Sequence, residues 1–450
     1  MQWIRWVVIV GLLLAGCGRN EVAVEPTPSM VPETAEPTLS TEEAAVAAWL
    51  QANAVELSTD DPTASLEDLE PLREIVGDAR IVMLGEQTHG THEFYTMRHR
   101  VVRFLVEEMG FDALVVEESW GPAKVVNDYV HGGEIDISMA LANTGWRSAT
   151  TETLDMVSWM REYNAEVSEE QQIDFFGMDM QDPEPSIEAV INDLSSIDAD
   201  VAAQAETAYA CFGNHAAYQA LKRSEREDCT EEARLIFDLI ASNVEQYPSG
   251  LTTLEYVRLL QEARIVVRAL DYLAGFGTEV RDAAMAENVA WVLEQGGPDR
   301  RVILYAHNAH INLRTGWLGG NLKTMFGDGV VAIGQALYAG TFVAFPLATD
   351  NTVMQLTAFE AAPASKDKYE HYLNLAGYPY MLLDLRDVDS SALGAEWLDG
   401  PRGFRVNGWA AGRADLPDRS YVLFSLLEDF DALIFIRDTT PLKLMFMDGE

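Results

Sequence analysis

The chain has 450 residues, 48% of them hydrophobic, which is enough to bury a substantial core and excludes a disordered protein. Its 31 basic residues are outnumbered by 72 acidic ones, for a formal charge of −41. Such a surface repels phosphate backbones, so nucleic acid is excluded as a partner, and high solubility is the plain reading.

The chain opens MQWIRWVVIVGLLLAGC, with a basic residue at Arg5, an apolar run from Trp6 to Ala15, and then Cys17. The run is too short to span a bilayer and reads as a signal peptide over residues 1–16. Leu14-Ala15-Gly16-Cys17 has the form of a bacterial lipobox, whose cysteine is diacylated before cleavage. The expectation is an extracytoplasmic protein held to a bacterial membrane only through lipid on Cys17. Residues 17–42 include VEPTPSMVPETAEPTLSTE and predict an extended Pro/Thr/Glu-rich tether, followed by one domain over 43–450.

Short apolar runs that end in polar residues follow in chain order. Ile81–Leu84 leads into Gly85-Glu86, Ala113–Val116 into Glu117-Glu118, and Ile173–Met178 into Asp179. Val302–Ala306 leads into His307, Val330–Ile333 into Gly334-Gln335, and Met381–Leu385 into Arg386. Between the first two runs, Phe94, Met97, Val101 and Leu105 recur at helical spacing and stop at Gly110, which makes a β-α-β unit. The fold class is therefore α/β, a parallel-sheet core with helices on both faces. Ligands on such sheets bind beyond the carboxyl ends of the strands, where these polar residues fall.

From about residue 186 to 297 the pattern is helical, and the segment reads as an insertion covering the strand ends. Within it, Arg281, Met285 and Asn288 fall on one helix face. Cys211 and Cys229 can close a disulfide in an oxidising compartment, with two buried thiols as the alternative.

Two segments concentrate chemistry. In GEQTHGTHEFYTMRHR, Glu86 stands three residues before His89 on a strand-end loop, so its carboxylate can orient the imidazole and raise its basicity toward water. Arg98 follows on the next helix, whereas His92 and His99 share only a helical face. In AHNAH, His307 and His310 can ligate a metal or hold two parts of a substrate. The sequence has no G-x-S-x-G, H-E-x-x-H, P-loop or G-x-G-x-x-G motif. Acid/base activation of water, with or without a metal, is what remains.

The segments GEQTHGTHEFYTMRHRVVRFL, GFDALVVEES, VNDYVHGGEID, TGWRSATTETLDMVSWMREYN, DFFGMDMQ, RDAAMAENVAWVL and ILYAHNAHI run in order and together resemble the erythromycin esterase family. The resemblance covers residues from about 65 to 440 and implies hydrolysis of a lactone or other small ester by direct attack of water. It implies that His89 is the general base beside Glu86, with Glu117, His307 and Arg98 also catalytic. Arg98, otherwise a plausible surface charge, would hold the carbonyl oxygen or orient Glu117. His310, Asp179, Arg281 and Asn288 are the candidate substrate contacts. The sequence departs from the family's A-H-N-G-H pattern at Ala309. No cofactor is required by this reading; a divalent metal on Glu86, His89, His307 and His310, or a non-catalytic pocket for a small ligand or haem, are the competing readings.

Overall fold

The computed structural model describes residues 39–213, 229–243, 247, 251–346, 355–411 and 420–445. Cys17, the expected signal peptide and most of the expected tether lie outside the described residues. Ser40–Glu450 forms one compact unit, opened by helix Thr41–Asn53, which Ser40 and Glu43 start with a reciprocal capping box.

The strands are β1 (Ala54–Glu56), β2 (Ile81–Leu84), β3 (Ala113–Ser119), β4 (Asp174–Asp179), β5 (Val302–Tyr305), β6 (Val330–Pro346), β7 (Thr357–Ala361), β8 (Tyr380–Asp384), β9 (Arg402–Arg405), β10 (Ala410–Ala411), β11 (Tyr421–Phe424) and β12 (Ala432–Thr439). The main sheet runs β1-β8-β12-β6-β2-β5-β3-β4. From β12 to β4 every neighbouring pair is parallel. The sheet is thus the α/β sheet expected, but mixed: β8 and β1 extend it antiparallel at one edge, and β7 pairs antiparallel with β6.

Side chains alternate across the sheet with the strand period of two. Val82, Leu84, Leu114, Val116, Ile303 and Tyr305 enter one core, under helices His92–Met109, Trp120–Val130 and Thr151–Glu166. Ile81, Met83, Ala113, Val115, Val302 and Leu304 enter the other, under helices Thr41–Asn53 and Thr278–Gln295. Both faces are therefore sealed by helices. Helix His92–Met109 buries the predicted Phe94, Met97, Val101 and Leu105 and ends at Gly110, whose φ of 70° permits its N–H to bond the carbonyls of Leu105 and Val106.

Helices Glu184–Ile197, Ala199–Tyr209, Thr230–Ser242 and Thr253–Asp271 form a third core of their own, and Thr278–Gln295 leads back to the sheet. Cys211 and Cys229 are disulfide-bonded, with Cα atoms 6.0 Å apart.

Candidate active site

The loops after β2 and β5 and the ends of β3 and β4 belong to four consecutive strands of the sheet, so Glu86, His307, Glu117 and Asp179 stand in a row along one edge. Strand spacing of about 4.8 Å is what brings together residues so distant in sequence. Arg386 does not join them. Because β8 runs antiparallel, its end lies at the opposite edge, where Arg386 holds Asp384 at 2.6 Å and donates to the carbonyls of Glu74 and Ile75.

At the first loop, Nδ1 of His89 lies 2.5 Å from Oε1 of Glu86, and both side chains are buried. The other Glu86 oxygen accepts from the hydroxyl of Tyr305. A carboxylate held at both oxygens fixes His89 with Nδ1–H toward Glu86 and the lone pair on Nε2. That Nε2 has no hydrogen-bond partner among the described residues and faces the backbone at Gly408, where an added Cβ would sit 3.9 Å away. The loop itself is pinned from several sides. Asn407 donates to the Gln87 carbonyl at 2.8 Å, Val343 donates to that of Gly90 at 3.0 Å, and a Cβ on Gly90 would stand 1.8 Å from the Val343 oxygen.

His307 serves that loop in a different way from the one expected. Its Nε2 lies 3.1 Å from the Gln87 carbonyl and its Nδ1 accepts from the Ala309 N–H at 3.1 Å. Both ring nitrogens are spent on backbone, so the imidazole is neutral, with the proton on Nε2. Burial is the main cause that lowers its pKa to about 3, with the nearby His89 adding to it. Its ring stands edge-on to His89, 5.2 Å between centroids. The ring is a support for His89 and offers no lone pair to water or to a metal.

Glu117 is the electrostatic centre. Arg281 Nη2 donates to its Oε1 at 2.9 Å, Arg147 Nη1 stands 3.3 Å from the same oxygen, and the His307 N–H donates to Oε2 at 2.9 Å. Burial pushes this carboxyl up, but His310, Arg147 and Arg281 together outweigh burial and hold it well below the usual range. Arg281 also grips Asp179 at 2.6 Å and reaches His310 Nε2 at 3.0 Å, tying β3, β4 and the loop after β5 to helix Thr278–Gln295. On its far side His310 presents Nδ1 to Asp282 at 2.5 Å, a second histidine-carboxylate pair. Glu118 faces the other way, onto Arg147 and Ser148, and burial raises its pKa.

Arg98 is buried and is not a surface charge. Its guanidinium is stacked between the rings of Tyr95 and Tyr305, 3.9 Å from each centroid, and its Nε has no hydrogen-bond partner among the described residues. It borders a cavity of about 20 Å³ shared with Glu86, Glu117, Glu118 and Arg147, room for about one water. The orienting of Glu117 belongs to Arg147 and Arg281. Asn288 is buried with its amide bonded on both sides, to the Met178 carbonyl and to Gln261, each at 2.8 Å, so it braces β4 and offers nothing to a ligand. His92 pairs with Glu152 at 2.5 Å, and His99 lies against Trp159.

Sequence reasoning missed Arg147, Tyr305 and Asp282, and marked Glu118 only as a residue at a strand end. Tyr305 was hidden inside an apolar strand run, and Asp282 is the neighbour of the chosen Arg281. Arg147 sits in a loop whose only signal was its place in TGWRSAT. Among the described residues no three His, Cys, Asp or Glu side chains stand where they could hold a metal ion. The four expected ligands do not converge, since His307 is committed to backbone and His310 faces Asp282.

A family model described as Erythromycin esterase matches residues 106–439. The chain belongs to the erythromycin esterase family. The relatives of this family member include erythromycin esterase type II of Escherichia coli, 25% identical over 76% of this chain and 88% of that one. Among solved structures, a Bacillus cereus protein is 27% identical with a TM-score of 0.78, covering 89% of this chain and 99% of that chain. A histidine variant of the erythromycin esterase EreC, crystallised in its open conformation, is 17% identical with a TM-score of 0.69 over 87% of this chain and 99% of that one, a likeness of fold.

Proposed function

We propose that this erythromycin esterase family member hydrolyses a small ester or lactone by direct attack of water, with His89 as general base. The observation that carries the reading is the Glu86–His89 pair. Its carboxylate is anchored by Tyr305, the imidazole by His307, and the single open nitrogen is Nε2. Water at Nε2 loses a proton to His89 as its oxygen attacks the ester carbonyl, and Glu86 stabilises the imidazolium through Nδ1–H. The oxygen that becomes negative is met by the positive charge of Arg147 and Arg281, which Glu117 and Asp179 hold in place. The tetrahedral adduct collapses with cleavage of the C–O bond to the alkoxide, which takes the proton from His89; because water is the nucleophile, no acyl-enzyme forms. Family membership supports macrolide-like esters as the first substrates to try.

Purified protein assayed against macrolides, simple lactones and aryl esters, beside His89→Asn, tests the proposal. The variant is expected to lose about 10²–10⁴-fold in kcat with an unchanged melting temperature. Full activity would refute the assignment.

The leader supports export and lipid anchoring at Cys17. Cells expressing the full chain should incorporate labelled fatty acid into it, and Cys17→Ala should abolish the label. Equal labelling of both would remove the anchor from the reading.

A further inference from the structure

Where the helical segment meets the β4 edge of the sheet, a cavity of about 350 Å³ lies among β4 and helices Trp120–Val130, Glu184–Ile197, Thr253–Asp271 and Thr278–Gln295. That volume lies within the size range of small-molecule sites. Apart from Phe175, its lining shares no residue with the small cavity beside Glu117. The mechanism above uses none of it.

Its walls are aromatic. Trp120 meets Trp291 edge-on at 5.2 Å between centroids, and Phe176 stands 6.4 Å from Trp120. Its fixed charge is Glu262, a buried residue on helix Thr253–Asp271. Oε1 of Glu262 accepts from Trp120 Nε1 at 3.2 Å and from Lys124 Nζ at 2.7 Å, while Oε2 is buried with no hydrogen-bond partner among the described residues. A buried carboxylate oxygen left unpaired is costly unless something supplies a donor or a positive charge. Asp128 and Asp193 also line the cavity, so three acids face two bases, Lys124 and Arg258. Burial raises the pKa of Asp193, and Glu262 adds to it, as expected for like charges facing one space. Indole faces carry the negative end of the ring quadrupole and attract cations in the same sense.

We propose that this cavity binds an organic ammonium ion with a small apolar body, its nitrogen between the indoles and Glu262. An anion would meet the aromatic faces and a net excess of carboxylates. A neutral molecule would leave Glu262 Oε2 without charge compensation.

Titration calorimetry of the purified protein with 2-phenylethylammonium and with its neutral counterpart 2-phenylethanol tests this. Saturable binding of the cation in the low millimolar range is expected, at least about tenfold tighter than the alcohol. Glu262→Gln keeps an acceptor for Trp120 but removes the charge, and should weaken the cation about tenfold without affecting the alcohol. Trp291→Leu removes a half-buried wall and should weaken both. It serves as the deciding variant if Glu262→Gln does not fold by circular dichroism, and unchanged affinities in it would then overturn the proposal. Equal affinity for cation and alcohol, undiminished cation binding in a folded Glu262→Gln, or no saturable heat would each overturn it as well.

Discussion

His307 and His99 show how burial removes a histidine from acid/base work. Both have their pKa lowered to about 3, mainly by desolvation of the charged form. In the unfolded chain each titrates near 6.5, so between that value and about 3 the unfolded state binds protons that the folded state refuses. Stability therefore falls as pH drops through this window, by up to about 1.4 kcal/mol per pH unit for each histidine. His99 is the cleaner test, because its Nε2 is buried without a partner among the described residues and it lies outside the site. His99→Phe should raise the melting temperature more at pH about 4 than at pH about 8, since the packing change is common to both and only the protonation cost is lost. An equal shift at the two pH values would show that the buried ring is not resisting protonation. What sets His89 apart from these two is the Glu86 carboxylate at its Nδ1.

At the scale of elements, β6 decides what the site looks like. Seventeen residues long, it pairs with β2 and β12 low down and with β7 and β10 further along, where its Val343 pins the loop at Gly90. Gly90→Ala would drive a methyl group into the Val343 carbonyl, so strand and loop must part. The expected result is a destabilisation of about 3 kcal/mol or more in denaturant titration, together with loss of activity. A neutral effect on both would mean that the contact relaxes easily. The sequence made the core strands legible because buried parallel strands are continuous apolar runs bounded by turns, as in Ile81–Leu84 and Val302–Tyr305. It did not reveal that β6 continues past Gly334 and Gly340, because glycine ordinarily weakens a strand. Nor did it reveal ALIFIRDT as central β12, or the antiparallel direction of β8, which depends on pairing and leaves no mark on a single strand. The candidate site was legible as far as strand ends go, which gave Glu86, His89, Glu117, Asp179 and His310. Whether a side chain's nitrogens face a substrate or the backbone is set by neighbours far away in sequence. That is why His307, Asn288 and Arg98 took other places and why Arg147 went unseen.

At the scale of the whole molecule, the sheet and the helical segment have separate cores, and the Cys211–Cys229 disulfide lies within the helical one. Arg281 stands on helix Thr278–Gln295, which leads back from the helical segment to the sheet, and its ion pairs have a kinetic consequence. Its partners Glu117 and Asp179 lie 164 and 102 residues away, so these ion pairs close only after long stretches of chain have ordered. A refolding chain that has formed its sheet but not docked helix Thr278–Gln295 holds Glu117 without its shortest guanidinium contact. Recovery of hydrolysis after dilution from denaturant should therefore lag behind recovery of the far-ultraviolet circular dichroism signal, and simultaneous recovery would contradict this order. Catalysis in this chain then reports the docking of helix Thr278–Gln295, because the charge that readies Glu117 arrives with that helix.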